Sequence, residues 1–101
     1  QKHVDKGNVE AQNMLGDRYR DGVMGLQQSF QRAVQLYERA AAQGHAQAQS
    51  ALGYCYECGN GVKSNLKTAL MWYRRAAEQG FPRAQCCLGM MFYEGKGVAQ
   101  S

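Results

Sequence analysis

Four cysteines in 101 residues set the first chemical question, because thiolates bind zinc, carry redox equivalents and attack electrophiles. Cys55-x-x-Cys58 has the spacing of a zinc or redox pair. A structural zinc site needs four ligands, and the second pair, Cys86-Cys87, diverges by about 100° on a helix. A redox pair wants its thiol at a helix N-terminus, where the dipole lowers the pKa, whereas Cys55 and Cys58 fall near a C-terminus. Packing and surface thiols are the expected roles. Gly59-Asn60-Gly61 and Gly95-Lys96-Gly97 lack both a preceding strand and the Gly-x-x-x-x-Gly-Lys-Ser/Thr spacing of a phosphate cradle, so they read as turns. Ser64-x-x-Lys67 has the spacing of an acyl-serine site, yet the companion Ser-Asp-Asn and Lys-Thr-Gly motifs are missing, since Lys67-Thr68 is followed by Ala69. His3 and His45 have no carboxylate or thiol arranged to make a triad. The sequence therefore predicts no catalytic residue, no metal and no cofactor.

The elements that carry these residues repeat. Ala11-Gln12, Ala48-Gln49 and Ala84-Gln85 align, as do Leu15-Gly16, Leu52-Gly53 and Leu88-Gly89. Tyr19, Tyr56 and Phe92 follow each Leu by four residues, and Gly22, Gly59 and Gly95 follow three later. Downstream, Ala33, Tyr37, Ala40-Ala41 and Gln43-Gly44 match Ala69, Tyr73, Ala76-Ala77 and Gln79-Gly80. The first halves of repeats one and two are offset by 37 residues and the second halves by 36, which puts one extra residue in the Gly22 to Gly25 loop.

Helical spacing predicts five helices near 8–20, 29–43, 46–57, 66–79 and 82–94. Ser29 and Asn65 are the expected caps of the second helices, and Pro82 suits a first turn. The buried stripes should be Ala11, Met14, Leu15 and Tyr19 in the first helix, and Phe30, Ala33, Val34, Tyr37 and Ala41 in the second. Helix 66–79 is the most apolar and should hold the centre of the core, with Trp72 as its largest side chain. A glycine inside each first helix costs about 1 kcal/mol relative to Ala. Its recurrence at Gly16, Gly53 and Gly89 predicts a second helix passing too close for a Cβ.

Hydrophobic residues make up 45% of the chain with only one Pro, which suits a single helical domain. No apolar run approaches the roughly 20 residues that span a bilayer, and no signal-peptide pattern opens the sequence. The net charge is +4, but Arg32, Arg39, Lys63, Lys67, Arg74, Arg75 and Arg83 are interleaved with acids and glutamines. This is a solvated outer face, and neither nucleic acid nor membrane is an expected partner.

The repeated text resembles the Sel1-like repeat, a relative of the tetratricopeptide repeat. The match is fullest in repeat two, through Leu52-Gly53, Tyr56, Gly59, Gly61-Val62, Ala69, Trp72-Tyr73 and Ala76-Ala77. Repeat one departs at Gly25-Leu26 and has Leu36-Tyr37 in place of the Trp-Tyr pair. The resemblance implies an all-α, right-handed α/α solenoid of about two and a half helix-turn-helix repeats. On this reading residues 1–6 are the tail of a preceding repeat, 7–43 repeat one, 44–79 repeat two and 80–101 a truncated repeat three, together a fragment of a longer array. Cysteine-rich bacterial members clamp the two helices of a repeat with cysteine pairs, but Leu66 to Gln79 contains no Cys, so reduced thiols in a cytoplasmic setting are expected.

What the resemblance implies for function is a non-catalytic interaction scaffold or adaptor that holds a partner protein or peptide on the concave face of the first helices. Residues five and two before each Leu, and two and five after it, should point there. They are Glu10, Asn13, Asp17 and Arg20, then Gln47, Ser50, Tyr54 and Glu57, then Arg83, Cys86, Met90 and Tyr93. The alternative is a ligand-binding or hydrolytic, penicillin-binding-like member of the cysteine-rich group, which a pocket-facing Ser64 would favour. Leu88, Met91, Phe92 and Cys87 should lack a covering second helix, so head-to-tail self-association is expected as well.

Overall fold

The computed structural model describes residues 6–22 and 29–95, and among these there are five α-helices and no strand. They are α1 (Lys6–Asp21), α2 (Phe30–Ala42), α3 (Ala46–Cys58), α4 (Leu66–Glu78) and α5 (Pro82–Glu94). The extra residue assigned to the Gly22 to Gly25 loop lies outside the described residues. The caps explain the boundaries. Ser29 Oγ accepts the Arg32 N–H at 3.2 Å and Asn65 Oδ1 the Thr68 N–H at 3.1 Å, each satisfying a donor that the first turn leaves open. Pro82 stands in the first turn of α5. Gly59 and Gly95 close α3 and α5 in the left-handed region, at φ 79° and 73°. One boundary differs from expectation: α1 begins at Lys6, so Gly7 lies within a helix, while its counterparts Gly44 and Gly80 turn at φ 91° and 84°.

Each helix packs on its neighbours in the chain, α1 on α2, α2 on α3, α3 on α4 and α4 on α5, giving an α/α solenoid of 44 × 32 × 20 Å. Its centre is not where helix composition placed it. The larger core cluster joins Ala33, Val34, Tyr37, Ala40 and Ala41 of α2 to Ala48, Leu52 and Cys55 of α3. A smaller one joins Ala69 and Tyr73 of α4 to Met91 of α5. Trp72 is only partly buried, with the Arg75 guanidinium carbon 5.1 Å from its ring centroid. Tyr73, fully buried, takes the central place. One residue turns the side chain by about 100°, so the pair diverges: the Tyr73 ring meets Gly53 of α3, while Trp72 packs on the edge of the larger cluster.

The close approach predicted from the helical glycines is present twice. A Cβ on Gly16 would lie 2.9 Å from the Tyr37 ring, and one on Gly53 would lie 2.9 Å from the Tyr73 ring and 3.2 Å from the Ala69 carbonyl oxygen. At Gly89 nothing among the described residues comes within 4 Å.

The α1 stripe also departs from expectation. Val9, Asn13 and Gly16 are buried, while Ala11 is exposed, Met14 is 49% exposed and Leu15 37%. The matching residues Ala48 and Leu52 are covered by α2. Among the described residues α1 has no such preceding helix.

Candidate functional site

The first helices α1, α3 and α5 border a groove of about 390 Å³. Six of the twelve residues expected on the partner-binding face line it: Asp17, Arg20, Gln47, Ser50, Tyr54 and Arg83. Glu10, Asn13, Glu57, Cys86, Met90 and Tyr93 are not part of its lining. Of these, Glu10 and Cys86 are exposed, and Met90 and Tyr93 stand 55% and 84% open to solvent. Asn13 and Ser50, by contrast, are buried, at 2% and 5% exposure. Their register, two before the Leu, falls on the rim of the helix between its covered and open sides, and small polar groups there are closed over by neighbouring helices. The Asn13 Oδ1 atom is buried with no hydrogen-bond partner among the described residues.

The charges at the α1 end are tied to one another. Arg20 donates to both carboxylate oxygens of Asp21, at 3.0 and 3.1 Å, and lies 3.4 Å from Asp17. Asp17 also accepts the Tyr37 hydroxyl, and Glu57 plays the same part for Tyr73 at 2.8 Å. Burial, and then these carboxylate acceptors, hold both tyrosine hydroxyls far above the usual tyrosine range. Each acid thus anchors the aromatic ring that fills the helical glycine's notch, Gly16 in repeat one and Gly53 in repeat two. The α5 end is different. Arg83 is exposed and forms no ion pair among the described residues.

Burial disarms the two thiols that line the groove. All four cysteines are free thiols, and burial pushes Cys55, in the groove wall, up to about 11, so it is protonated at neutral pH. Burial also raises Cys87. No group of three metal-ligating side chains occurs among the described residues. Ser64 is exposed, precedes the cap residue Asn65 and donates its hydroxyl to the Glu57 carbonyl at 3.3 Å, away from the groove.

The groove has walls that helical spacing did not pick out. Asp21 is the last residue of α1, Asn60 lies in the turn after α3, and Phe81, the counterpart of His45, lies in the junction before α5. Counting along a helix from its Leu does not reach Asn60 or Phe81, and Asp21 lies one residue beyond the last position counted on α1. The available signal is the alignment itself, which puts an aromatic at Phe81 where the previous repeat has His45.

The Sel1 repeat, as a sequence family, matches residues 9–45, 46–81 and 82–101. The chain is 39% identical over 62 residues to the ERAD-associated E3 ubiquitin-protein ligase component HRD3A of Arabidopsis thaliana, covering 61% of this chain and 9% of that protein. It is 41% identical over 59 residues to protein SHC1 of Saccharomyces cerevisiae, covering 58% of this chain and 11% of that one. The chain therefore spans about a tenth of the length of these curated relatives. A Sel1 repeat protein of Oxalobacter formigenes superimposes with a TM-score of 0.87 at 40% identity, over 93% of this chain and 38% of that one. A protective antigen of uropathogenic Escherichia coli with an SLR fold gives 0.89 at 41%, over 95% and 20%. Three successive matches to the repeat and a shared solenoid at this identity make the chain a member of the Sel1 repeat family.

Proposed function

We propose that the chain is a non-catalytic interaction scaffold that holds a partner protein or peptide against the groove and the adjoining surface of α3 and α5. The observation that carries the reading is the exposure of Tyr54, Met90 and Tyr93 at 52%, 55% and 84%, on one side of adjacent first helices. These positions vary between repeats: Asp17, Tyr54 and Met90 share one register and Arg20, Glu57 and Tyr93 another. The fold does not require large apolar groups there, and burying them from water is what a partner would gain. The hydrolytic alternative would need Ser64 to face a pocket, and its hydroxyl is spent on a backbone carbonyl in an exposed turn.

A linear peptide library panned against the whole chain tests the reading. Binders are expected to lose affinity for a Tyr54→Ala, Met90→Ala double variant and to keep it for Gln35→Ala, an exposed change on α2. Equal binding to the double variant would show that this face is not the site.

A further inference from the structure

Resting on that reading, we infer that the bound segment is acidic, carrying an aspartate, a glutamate or a terminal carboxylate that meets Arg83, beside an apolar side chain that packs on Tyr54. Within the groove, Arg20 is engaged by Asp21 and Asp17, and Asp17 is further engaged by the Tyr37 hydroxyl. Glu57, close by on α3, accepts from Tyr73. The groove's own acids therefore already have donors.

Arg83 is the contrast. It lines the same groove, is exposed, has no carboxylate in ion-pair range among the described residues, and sits in a first turn of α5 that contains no acid to offset it. A cation near the N-terminus of a helix is also placed against the helix dipole. A partner carboxylate relieves both conditions and forms a charge-assisted hydrogen bond to the guanidinium. The same groove also offers apolar surface, since Tyr54 and Phe81 line it with Arg83. Together they specify a carboxylate and an apolar side chain side by side. The formal charge of +4 on the chain favours the encounter with an acidic segment.

The same panning experiment, repeated with an Arg83→Glu variant, tests this. Arg83 is exposed, so circular dichroism should show the parent helix content, and Arg83→Gln serves as a second variant that removes charge without reversing it. Peptides selected on the parent should be enriched in Asp or Glu next to an apolar residue. They should bind Arg83→Gln and Arg83→Glu about tenfold or more weakly, a difference of about 1.4 kcal/mol. Selection on Arg83→Glu should turn the enriched acid into Lys or Arg. Groove-dependent peptides with no acidic preference, or binding indifferent to Arg83, would overturn this inference and leave the scaffold reading standing. Peptides that ignore the Tyr54→Ala, Met90→Ala variant would overturn the scaffold reading and this inference with it.

Discussion

Gly53 in α3 and Gly89 in α5 are written into the same Leu-Gly pair, and they have opposite surroundings. Gly53 is buried, with the Tyr73 ring where a Cβ would go, while Gly89 is exposed with nothing among the described residues within 4 Å. Leu52 is fully buried, whereas Leu88 is only partly so, and Tyr56 is half-covered where Phe92 is 46% exposed. The difference teaches that a repeat's residues do not have an environment of their own. Each apolar face is completed by the neighbouring helix, and identical text without that helix is surface.

The sharpest way to break the comparison is to remove the ring that α4 supplies. Tyr73→Ala should cost about 3–5 kcal/mol, as for a fully buried aromatic, and leave the Gly53 notch empty. Trp72→Ala should cost clearly less despite the larger side chain, because Trp72 lies on the flank of the core. Urea melts of the two variants decide it. Equal losses would return Trp72 to the centre and undo the assignment of Tyr73.

The glycines give the next largest contrast. Gly53→Ala puts a methyl 2.9 Å from the Tyr73 ring and 3.2 Å from a backbone oxygen, an overpacking worth about 1–3 kcal/mol. Gly89→Ala meets nothing among the described residues, and should stabilise the chain by roughly 0.5–1 kcal/mol through helix propensity alone. Opposite shifts in melting temperature are expected. Destabilisation by both would mean that α5 is covered in solution by an occupant other than the described helices, and stabilisation by both that the Tyr73 ring yields to a methyl at Gly53.

Alkaline pH probes the same two repeats together. Burial and their carboxylate partners hold the Tyr37 and Tyr73 hydroxyls far above an unfolded tyrosine, near 10, and burial raises Cys55 from 9.0 to about 11. In that range the folded chain keeps protons that the unfolded chain releases, so stability falls as pH rises. The contribution is complete below about pH 9, begins to fade as the unfolded thiol ionises and fades further above pH 10. A urea midpoint that holds steady from pH 8 to 11.5 would contradict this, and Tyr73→Phe should shallow the decline.

Much of this was legible in the residues. The five helices, the Ser29 and Asn65 caps and the Gly16 and Gly53 contacts follow from local chemistry: a hydroxyl or amide that satisfies a bare N–H, and a helix-weakening glycine that recurs. Burial was harder to read, because it is set between elements. Ala11, Met14 and Leu15 carry the right spacing for a core face and are exposed, and Asn13 and Ser50 are polar and buried. Met91 was expected to lack cover but is 1% exposed, since it packs in one cluster with Ala69 and Tyr73 of α4. The groove was half legible. Helical register finds Arg20, Tyr54 and Arg83, while Asn60 and Phe81 enter from loops whose path no periodicity encodes. The head-to-tail association expected from an uncovered α5 turns on residues 1–5 and 96–101, which lie outside the described residues.

The repeated Ala-Gln pairs carry the smallest contrast, and their role is visible only in three dimensions. Gln49 and Gln85 each donate their side-chain amide to a carbonyl at the end of the preceding second helix, Ala41 at 3.1 Å and Ala77 at 3.2 Å. Each bond adds a side-chain donor to a carbonyl that already accepts a turn N–H, from Gly44 or Gly80, and so ties one repeat to the next. Gln49 is buried and also accepts from Gln79 at 2.9 Å, whereas Gln85 is exposed and has no such donor among the described residues. Water can replace the bond at Gln85 but reaches Gln49 poorly. Gln49→Ala should therefore cost about 1–2 kcal/mol, and Gln85→Ala no more than about 0.5 kcal/mol. A double-mutant cycle between Gln49 and Gln79 should show coupling, since the two share a bond. Equal costs at Gln49 and Gln85 would mean that the junction between repeats one and two is as wet as the one before α5.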